Sequence, residues 1–283
     1  MSHTISKTWF VTGCDSGMGF SIAETLLANG QKVVATALDL SKISTYMERY
    51  PKTAFCYPLN VTDTANIEKI VSLAEDATGG IDVLINNAGY GVLGAAEETS
   101  AQEYRDMFEV NFFGLVEVTR SVLARMRKRK KGEIFNISSY GGFAASPGWS
   151  MYASSKFAVE GFSEGLSKEV APLGVRVTIL EPGAFRTNFA GSSLKQTKLR
   201  IEDYQSTPVA QRRTTVLASN GNQPNDPSRI GLVLLHLVSL SKIPLRIPLG
   251  IDALERIQNK VAEMDREFKE ISTVADMVTF KTS

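Results

Sequence analysis

Short apolar segments alternate with segments of helical periodicity along most of this 283-residue chain. A short apolar run is typical of a strand buried on both faces, whereas apolar residues three and four apart predict a helix. Their alternation predicts an α/β fold, a doubly wound parallel sheet of about seven strands with helices on both faces. The predicted strands span residues 7–12, 31–36, 54–59, 81–85, 133–138, 175–180 and 245–249. The predicted helices span residues 20–29, about 42–50, 64–77, about 101–127, a segment through Tyr152 to about 171, 226–240 and 253–270.

Three glycines, Gly13, Gly17 and Gly19, lie where the first predicted strand turns into the first helix. Glycine lets the backbone turn tightly and approach a ligand closely. The helix N-terminus offers free N–H groups and a partial positive charge to a pyrophosphate. The spacing G-x-x-x-G-x-G after a first strand therefore predicts a dinucleotide site, and the alternative is a glycine-rich turn without a ligand. The remaining predicted contacts of this loop are Asp15, Ser16 and Met18.

The end of the second predicted strand should select between NAD and NADP. An acidic side chain there bonds the ribose 2′-hydroxyl of NAD, whereas an arginine pairs with the 2′-phosphate of NADP. This chain has Leu38 and Asp39 at the selecting positions, and Asp15 adds negative charge in the glycine loop. Both carboxylates should repel a 2′-phosphate, so the sequence favours NAD over NADP. The alternative role of Asp39 is to cap the turn before the next helix.

Tyr152 and Lys156 are four residues apart in a segment with helical character, so their side chains are expected on one helix face. An ammonium near a phenol stabilises the phenolate and is expected to lower the phenol's pKa. Ser139, just after an apolar strand, is placed to hold a substrate oxygen. These residues predict a site that moves a proton on or off an alcohol oxygen. The alternative is that the pair belongs to an ordinary surface helix.

Asparagines occupy two further positions of interest, one at the end of a predicted strand and one inside a predicted helix. Asn87, Ala88 and Gly89 come directly after the fourth predicted strand. Asn111 lies inside the long predicted helix, where an asparagine competes for backbone hydrogen bonds and is ordinarily solvated. Its apolar neighbours instead predict burial, and a buried asparagine needs hydrogen-bond partners, often water.

The pattern changes after Gly183. Residues 184–225 are polar and weakly periodic, and a loop of this length in a domain is usually functional. We predict that 184–225 is a substrate lid, with a disordered insert as the alternative. Residues 251–283 are predicted to form a charged C-terminal helical tail suited to a surface or a subunit contact. The whole chain, 1–283, is predicted to be one nucleotide-binding domain.

Composition limits the class of protein. The net charge of +1 argues against a dedicated nucleic-acid binder. The basic run 125–131 is interpreted as a solvated helix C-terminus rather than a nucleic-acid patch. Two cysteines, no secretory pattern and no long apolar run predict reduced thiols, a cytoplasmic location and no membrane span. The sequence contains no cluster of histidine, cysteine and acidic residues that would indicate a metal site.

Taken together, these motifs resemble the short-chain dehydrogenase/reductase family in its compact single-domain form, from about residue 7 to residue 187. The resemblance implies a Rossmann-like fold, an NAD or NADP cofactor and a homodimer or homotetramer. It implies that Tyr152 is the acid/base, Lys156 lowers its pKa and binds the nicotinamide ribose, Ser139 polarises the substrate oxygen and Asn111 holds a relay water. The further cofactor contacts that it implies are Asn60 and Val61 at the adenine, Asn87, Ala88 and Gly89 at the ribose, and Pro182, Gly183 and Thr187 at the nicotinamide.

The predicted function is therefore NAD(P)-dependent interconversion of a secondary alcohol and a ketone, with a small-molecule substrate. Two alternatives stay open at this point. One is reduction of a carrier-bound ketoacyl group, for which the basic run 125–131 offers a docking surface. The other is a cofactor-binding sensor or scaffold without catalysis, against which the complete set of proton-transfer residues speaks.

Overall fold

Parallel strands form the central sheet of the protein, whose computed structural model describes residues 6–280 except 188, 190 and 192. Residues 1–5 and 281–283, at the two ends of the predicted domain and tail, and the three gaps in the predicted lid therefore lie outside the description. The strands are β1 (Thr8–Val11), β2 (Lys32–Ala37), β3 (Ala54–Pro58), β4 (Val83–Asn86), β6 (Gly132–Ile137), β7 (Val175–Pro182) and β9 (Arg246–Leu249). Their order is β3-β2-β1-β4-β6-β7-β9, with every pair parallel, which confirms the predicted seven-stranded doubly wound sheet.

Helices cover both faces of this sheet because successive strand residues point to opposite sides. Trp9 packs into a core under one set of helices, and its neighbour Phe10 packs into the core on the other face. The first core is closed by α1 (Gly17–Ala28) and α8 (Ile230–Ser239), and the second by α3 (Thr64–Thr78), α5 (Leu115–Arg129) and α6 (Ser150–Val170). The remaining helices are α2 (Thr45–Arg49), α4 (Ala101–Phe108), α7 (Pro208–Ala218), α9 (Ile251–Glu270) and α10 (Ser272–Asp276).

The strand order reverses between β1 and β4, whose neighbours lead away in opposite directions. In open α/β sheets this reversal leaves a crevice at the carboxyl ends of the strands, where ligands bind. The glycine loop after β1 and the Asn87–Ala88–Gly89 segment after β4 both lie at this edge. The fold therefore places the predicted cofactor residues at the position where such a sheet has room for a ligand.

The predicted continuous helix over residues 101–127 is wrong in one respect. It is divided into α4 and α5 by a π-helical segment, Glu109–Gly114, that carries Asn111. A π turn widens the helix and re-aims side chains, and it is often found at functional sites. Helix α5 ends at Arg129, where Lys130 takes the left-handed conformation (φ 52°), and Gly132 begins β6.

The predicted lid contains more regular structure than its polar sequence indicated. Strand β8 (Leu194–Gln196) pairs in parallel with the short strand β5 (Gly91–Leu93), and helix α7 follows. Residue Phe185 also forms an isolated bridge with Asn225, at the two ends of the segment. These pairings join the two ends of the segment to each other and tie β8 to β5, and its movement as a lid stays a prediction.

The basic run at the end of α5 has local acidic partners. Arg125 contacts Glu68 on α3 at 2.6 Å, and Arg129 pairs with Glu75 on the same helix. These contacts agree with a helix C-terminus rather than a nucleic-acid patch, but Arg125 and Arg129 pack beside α3 instead of lying fully in solvent. Among the helices of the described ranges, none has the length and apolarity needed to cross a membrane.

Candidate active site

The glycine loop and the segment after β4 are held together by hydrogen bonds. The Thr12 hydroxyl accepts from the backbone N–H groups of Asn87 and Ala88, each at 3.0 Å. The Asn87 amide in turn donates to the carbonyls of Thr12 (2.9 Å) and Gly13 (3.0 Å). A Cβ on Gly19 would collide with the Gly13 carbonyl and the Asn87 amide. Gly19 therefore lets α1 begin directly against the loop.

A cleft of about 670 Å³ opens above this loop at the switch between β1 and β4. Helix α1 begins at its wall with no side-chain cap on Ser16 and no acidic residue in its first turn, so its N–H groups are available to an anion. The predicted cofactor residues that line the cleft are Gly13, Asp15, Ser16, Gly17, Met18, Leu38, Asn60, Val61, Asn87, Ala88, Gly89, Tyr152, Lys156 and Thr187. Pro182 and Gly183 line the adjoining cavity instead.

The two residues at the selecting position differ in their surroundings. Leu38 is 71% exposed and lines the cleft. Asp39 does not line it; its carboxylate accepts from the backbone N–H (3.0 Å) and the hydroxyl (2.6 Å) of Ser41. These hydrogen bonds lower the pKa of Asp39. Asp39 thus caps a short turn, which is the alternative role given to it above, and direct contact with a ribose stays a prediction.

Tyr152, Ser139 and Lys156 meet where this cleft joins a second cavity. Tyr152 lies beside Ser139, whose hydroxyl accepts from the backbone N–H of Gly141 at 3.0 Å. The Lys156 ammonium donates to the carbonyl of Ile137 at 2.8 Å and lies 5.9 Å from the centre of the Tyr152 ring. The helix spacing therefore brings the three predicted residues to one place.

The expectation of a lowered Tyr152 pKa is wrong for this structure. Burial, the largest cause, raises the pKa of Tyr152, and the neighbouring Ser139 side chain only partly opposes it. Burial also lowers the pKa of Lys156 to about 8, against the opposing charge of Glu160. The lysine head is directed to the Ile137 carbonyl rather than to the phenol oxygen, so sequence spacing alone overestimated their coupling. Both shifts oppose the charged forms, and a pKa of about 8 still leaves Lys156 mostly protonated at pH 7.

Asn111 is completely buried in the π-helical segment, as its apolar neighbours predicted. Its side-chain nitrogen donates to the Tyr90 carbonyl (2.9 Å) and the Ser155 hydroxyl (3.1 Å), and its oxygen accepts from the Tyr90 N–H (3.0 Å). A Cβ on Gly89 would lie 3.0 Å from that oxygen and 3.7 Å from the Lys156 nitrogen. Asn111 therefore fixes the segment after β4 beside Lys156; the relay water stays a prediction.

The second cavity, of about 310 Å³, lies on the other side of Tyr152. One wall is aromatic: the Trp149 ring lies 5.2 Å from that of Tyr152, and the Phe189 ring lies 6.3 Å from Trp149. Ser139 and Tyr152, which both carry hydroxyls, line the same space. The cavity can hold an apolar molecule with an oxygen near both hydroxyls.

Sequence reasoning missed several residues of this cavity. Two apolar residues of the predicted lid, Phe185 and Phe189, line the cavity. A third, Leu199, is 54% exposed and does not line it. Trp149 lies only three positions before Tyr152, so the sequence could have indicated it. The residues on and after α7 reach the cavity only through tertiary contacts, which the sequence does not show. The missed residues include Trp149, Arg212, Thr215, Val216, Ser219 and Gln223.

A buried pair of carboxyl groups lies behind Lys156. Glu160 is one helical turn beyond Lys156 on α6, and Glu181 is at the end of β7, fully buried. Arg246 bonds one Glu160 oxygen at 2.9 Å. The other Glu160 oxygen and both Glu181 oxygens have no partner among the described residues. Burial and the neighbouring Glu160 raise the pKa of Glu181 to about 7, so the pair is expected to share a proton near neutral pH.

This pair makes folding stability dependent on pH. Because the pKa of Glu181 is raised from 4.5 to about 7, its stabilising effect is complete below pH 4.5 and is lost as pH rises through 7. The loss is on the order of 3 kcal/mol. We expect Glu181→Gln to flatten the fall in melting temperature between pH 5 and pH 8.

The half-buried Glu164 provides a control, since Lys168 and Arg246 lower its pKa to about 2. Glu164 is therefore ionised throughout this range, and Glu164→Gln should leave the slope of the wild-type curve unchanged. Equal slopes for wild type and Glu181→Gln would contradict the shared proton.

The chain resembles known proteins both in sequence and in structure. A sequence model described as short chain dehydrogenase matches residues 7–198. The chain is 38% identical over 273 residues to oxidoreductase BOA17 of Botryotinia fuckeliana, covering 95% of this chain and 98% of that protein. It is 33% identical to a 3-ketodihydrosphingosine reductase of Bacteroides thetaiotaomicron, covering 85% and 86% of the two chains. A short-chain dehydrogenase structure from Streptomyces avermitilis superposes with a TM-score of 0.91 at 38% identity, covering 99% and 100%.

Proposed function

The chain belongs to the short-chain dehydrogenase family, and we propose that it interconverts a secondary alcohol and a ketone using a nicotinamide cofactor. The observation that carries the proposal is the position of Tyr152. It lies between a cleft built around a glycine loop and an aromatic cavity, and Ser139 lines that cavity beside it. A proton donor at the boundary of a cofactor cleft and a substrate cavity is what this reaction requires.

The residues of the cleft fit a dinucleotide. The uncapped N-terminus of α1 faces the cleft and suits the pyrophosphate. Asn60 and Val61 line the part of the cleft proposed for the adenine, and Lys156 and Thr187 line the part proposed for the nicotinamide end. The position of a Cβ on Gly17 is 3.8 Å from the Thr187 side chain, so Thr187 lies over the glycine loop. When bound, the cofactor supplies or accepts the hydride.

The chain's own residues would manage the substrate oxygen and its proton. Ser139 holds the carbonyl oxygen by a hydrogen bond and keeps it beside the Tyr152 hydroxyl. In the direction of reduction, Tyr152 donates its proton to this oxygen while the carbonyl carbon receives the hydride, which gives the alcohol. Lys156, fixed by the Ile137 carbonyl, places a positive charge near the resulting tyrosinate and stabilises it. In oxidation the same steps run in reverse.

The proposed substrate is a ketone or secondary alcohol with an apolar body. The aromatic wall of Trp149, Tyr152 and Phe189 would contact that body, while Ser139 and Tyr152 face its oxygen. The similarity to a protein named 3-ketodihydrosphingosine reductase supports ketone chemistry. The test is consumption of NADH or NADPH by purified protein with a panel of aryl and long-chain ketones. Turnover of none of these, together with no oxidation of the matching alcohols, would contradict the proposal.

Reduction of a carrier-bound ketoacyl group is less well supported. It requires a basic docking surface, and Arg125 and Arg129 of the candidate run are engaged with Glu68 and Glu75. A cofactor-binding scaffold without catalysis would need neither Tyr152 nor the Ser139 hydroxyl beside it. The Tyr152 variant described in the Discussion separates that alternative from an enzyme.

We predict that NADH binds more tightly than NADPH. Leu38 gives the cleft no positive charge for a 2′-phosphate, and Asp15 lines the same cleft. Leu38→Arg should add a charge-assisted hydrogen bond, worth about 1.5–3 kcal/mol, to NADPH alone. The NADPH/NADH affinity ratio should therefore rise by about ten- to hundredfold in fluorescence titrations.

Leu38→Gln is the matched control, since glutamine adds length and polarity without charge. It should leave the affinity ratio close to that of the wild type. Tighter NADPH than NADH binding by the wild type would overturn the proposed preference. The proposed cofactor site would stand.

A further inference from the structure

The C-terminal helices leave the body of the protein with little to cover them. Helix α9 is anchored at its beginning, where Asp252 accepts from the Ala184 N–H at 2.7 Å and Ala253 is fully buried. From residue 265 to residue 280 every position is exposed. Isolated helices of this length are marginal in water unless an apolar face is packed. A contact outside this copy of the chain would therefore stabilise the helix.

The apolar residues of α9 follow a heptad repeat. Leucine, isoleucine, valine, methionine and phenylalanine recur at alternating intervals of three and four, which places them on one stripe with a period of 3.5 residues. Val261, Phe268 and Ile271 on this stripe are 51%, 62% and 53% exposed. We call this stripe the C-terminal seam: Leu254, Ile257, Val261, Met264, Phe268 and Ile271.

The flanks of the seam carry complementary charges. With Leu254 at heptad position a, Lys260 occupies position g, and Asp265 and Glu267 occupy the next e and g positions. Two parallel copies of α9 would bring Lys260 beside the partner copy's residue 265, which is acidic. Two antiparallel copies would bring it beside residue 267, also acidic. Opposite charges thus meet in both orientations, as in coiled coils that pair with themselves.

The charge of the segment disfavours a membrane surface as the occupant. Residues 251–280 contain seven acidic and four basic side chains in the sequence, a net charge of −3. Membrane-binding amphipathic helices are typically rich in lysine and arginine, because cell membranes carry anionic lipids. A self-complementary apolar stripe with balanced flanks instead fits an identical helix, and closed symmetric dimers are the commonest protein assemblies.

We propose that the C-terminal seam packs against the seam of a second copy of the chain, forming a two-helix coiled coil. The contact would also support the cavity. Arg256, on the first turns of α9, donates to the Ala145 carbonyl and the Ser146 hydroxyl at 3.4 Å each, and Ser146 lines the cavity. Fixing α9 in a dimer would therefore hold one rim of the cavity.

Cysteine cross-linking tests the contact directly, since both natural cysteines are buried. In a parallel pair, position 261 faces position 261 of the partner copy, and position 264 faces position 264. In an antiparallel pair, position 261 faces position 264 of the partner copy. Val261→Cys with Met264→Cys should thus give an interchain disulfide in either orientation. The matched control is Asn259→Cys with Ala262→Cys, which has the same spacing on the outer face and should give no covalent dimer.

Charge insertion tests the same contact without covalent chemistry. Val261→Glu with Phe268→Glu should lower the mass of the assembly measured by light scattering, whereas Asn259→Glu with Ala262→Glu should retain the wild-type mass. Circular dichroism verifies that both variants are folded. Equal cross-linking of the seam and control pairs, or an unchanged mass of the seam variant, would overturn the proposal. Seam-dependent sedimentation of the wild type with phosphatidylserine vesicles would overturn it as well.

Discussion

Replacing Tyr152 by phenylalanine is expected to lower turnover by about 10²- to 10⁴-fold, which is the usual contribution of a positioned proton donor. The ring would keep its contacts with Trp149 and Phe189, whose ring centres lie 5.2 and 5.9 Å away. Cofactor affinity and melting temperature should therefore change little. The measurements are steady-state turnover of a ketone substrate and a cofactor titration on the same preparation.

Tyr140 supplies the matched control for this substitution. It is a second phenol lining the same cavity, and the mechanism assigns it no proton transfer. Tyr140→Phe should retain turnover within a few-fold of the wild type. If Tyr152→Phe retains wild-type turnover, the proposed acid/base is wrong. If both phenylalanine variants lose turnover equally, the loss belongs to the cavity as a whole.

Replacing Gly19 by alanine is expected to weaken cofactor binding by about ten- to hundredfold. The new methyl group would collide with the Gly13 carbonyl and the Asn87 amide, so either the loop or the segment after β4 must move. Overpacking of this kind costs about 1–3 kcal/mol, and 1.4 kcal/mol corresponds to a tenfold change in affinity. NADH titration by fluorescence measures the change, and thermal unfolding measures the accompanying loss of stability.

Gly161→Ala is the control for the same chemical change. Gly161 lies inside α6, and a Cβ there would meet nothing within 4 Å. Alanine is the better helix former, so this variant should be as stable as the wild type or more stable, with unchanged cofactor affinity. Wild-type NADH affinity in Gly19→Ala would contradict the role of the loop as a cofactor cradle.

Most of the fold could be predicted because local pattern and tertiary structure agree. Asp63 begins α3 by accepting from the Asn66 N–H, and Gly174 takes the left-handed conformation before β7, both at the predicted boundaries. The π-helical segment around Asn111 could not be predicted, since its apolar periodicity is compatible with an ordinary α-helix. It forms where the asparagine reaches Tyr90 and Ser155, which are distant in sequence.

In the candidate site, too, local spacing was predictable and the effects of tertiary packing were not. Motif spacing predicted that Ser139, Tyr152 and Lys156 lie close together, because Ser139 follows a strand and the other two share one helix face. Spacing did not predict the direction of the pKa shifts, because these depend on burial by elements far along the chain. The Glu160–Glu181 pair was also missed, since nothing in the sequence indicates that α6 and β7 bury these two carboxyl groups side by side.

Titration of the purified protein with NADH and NADPH tests the central claim most directly, and it needs no knowledge of the substrate. Trp149 lies beside Tyr152, so cofactor bound in the cleft should quench tryptophan emission and gain nicotinamide emission by energy transfer. We predict saturable binding of NADH, weaker binding of NADPH and a smaller transfer signal in Trp149→Phe. Binding of neither cofactor would contradict the assignment of the cleft and, with it, the proposed oxidoreductase.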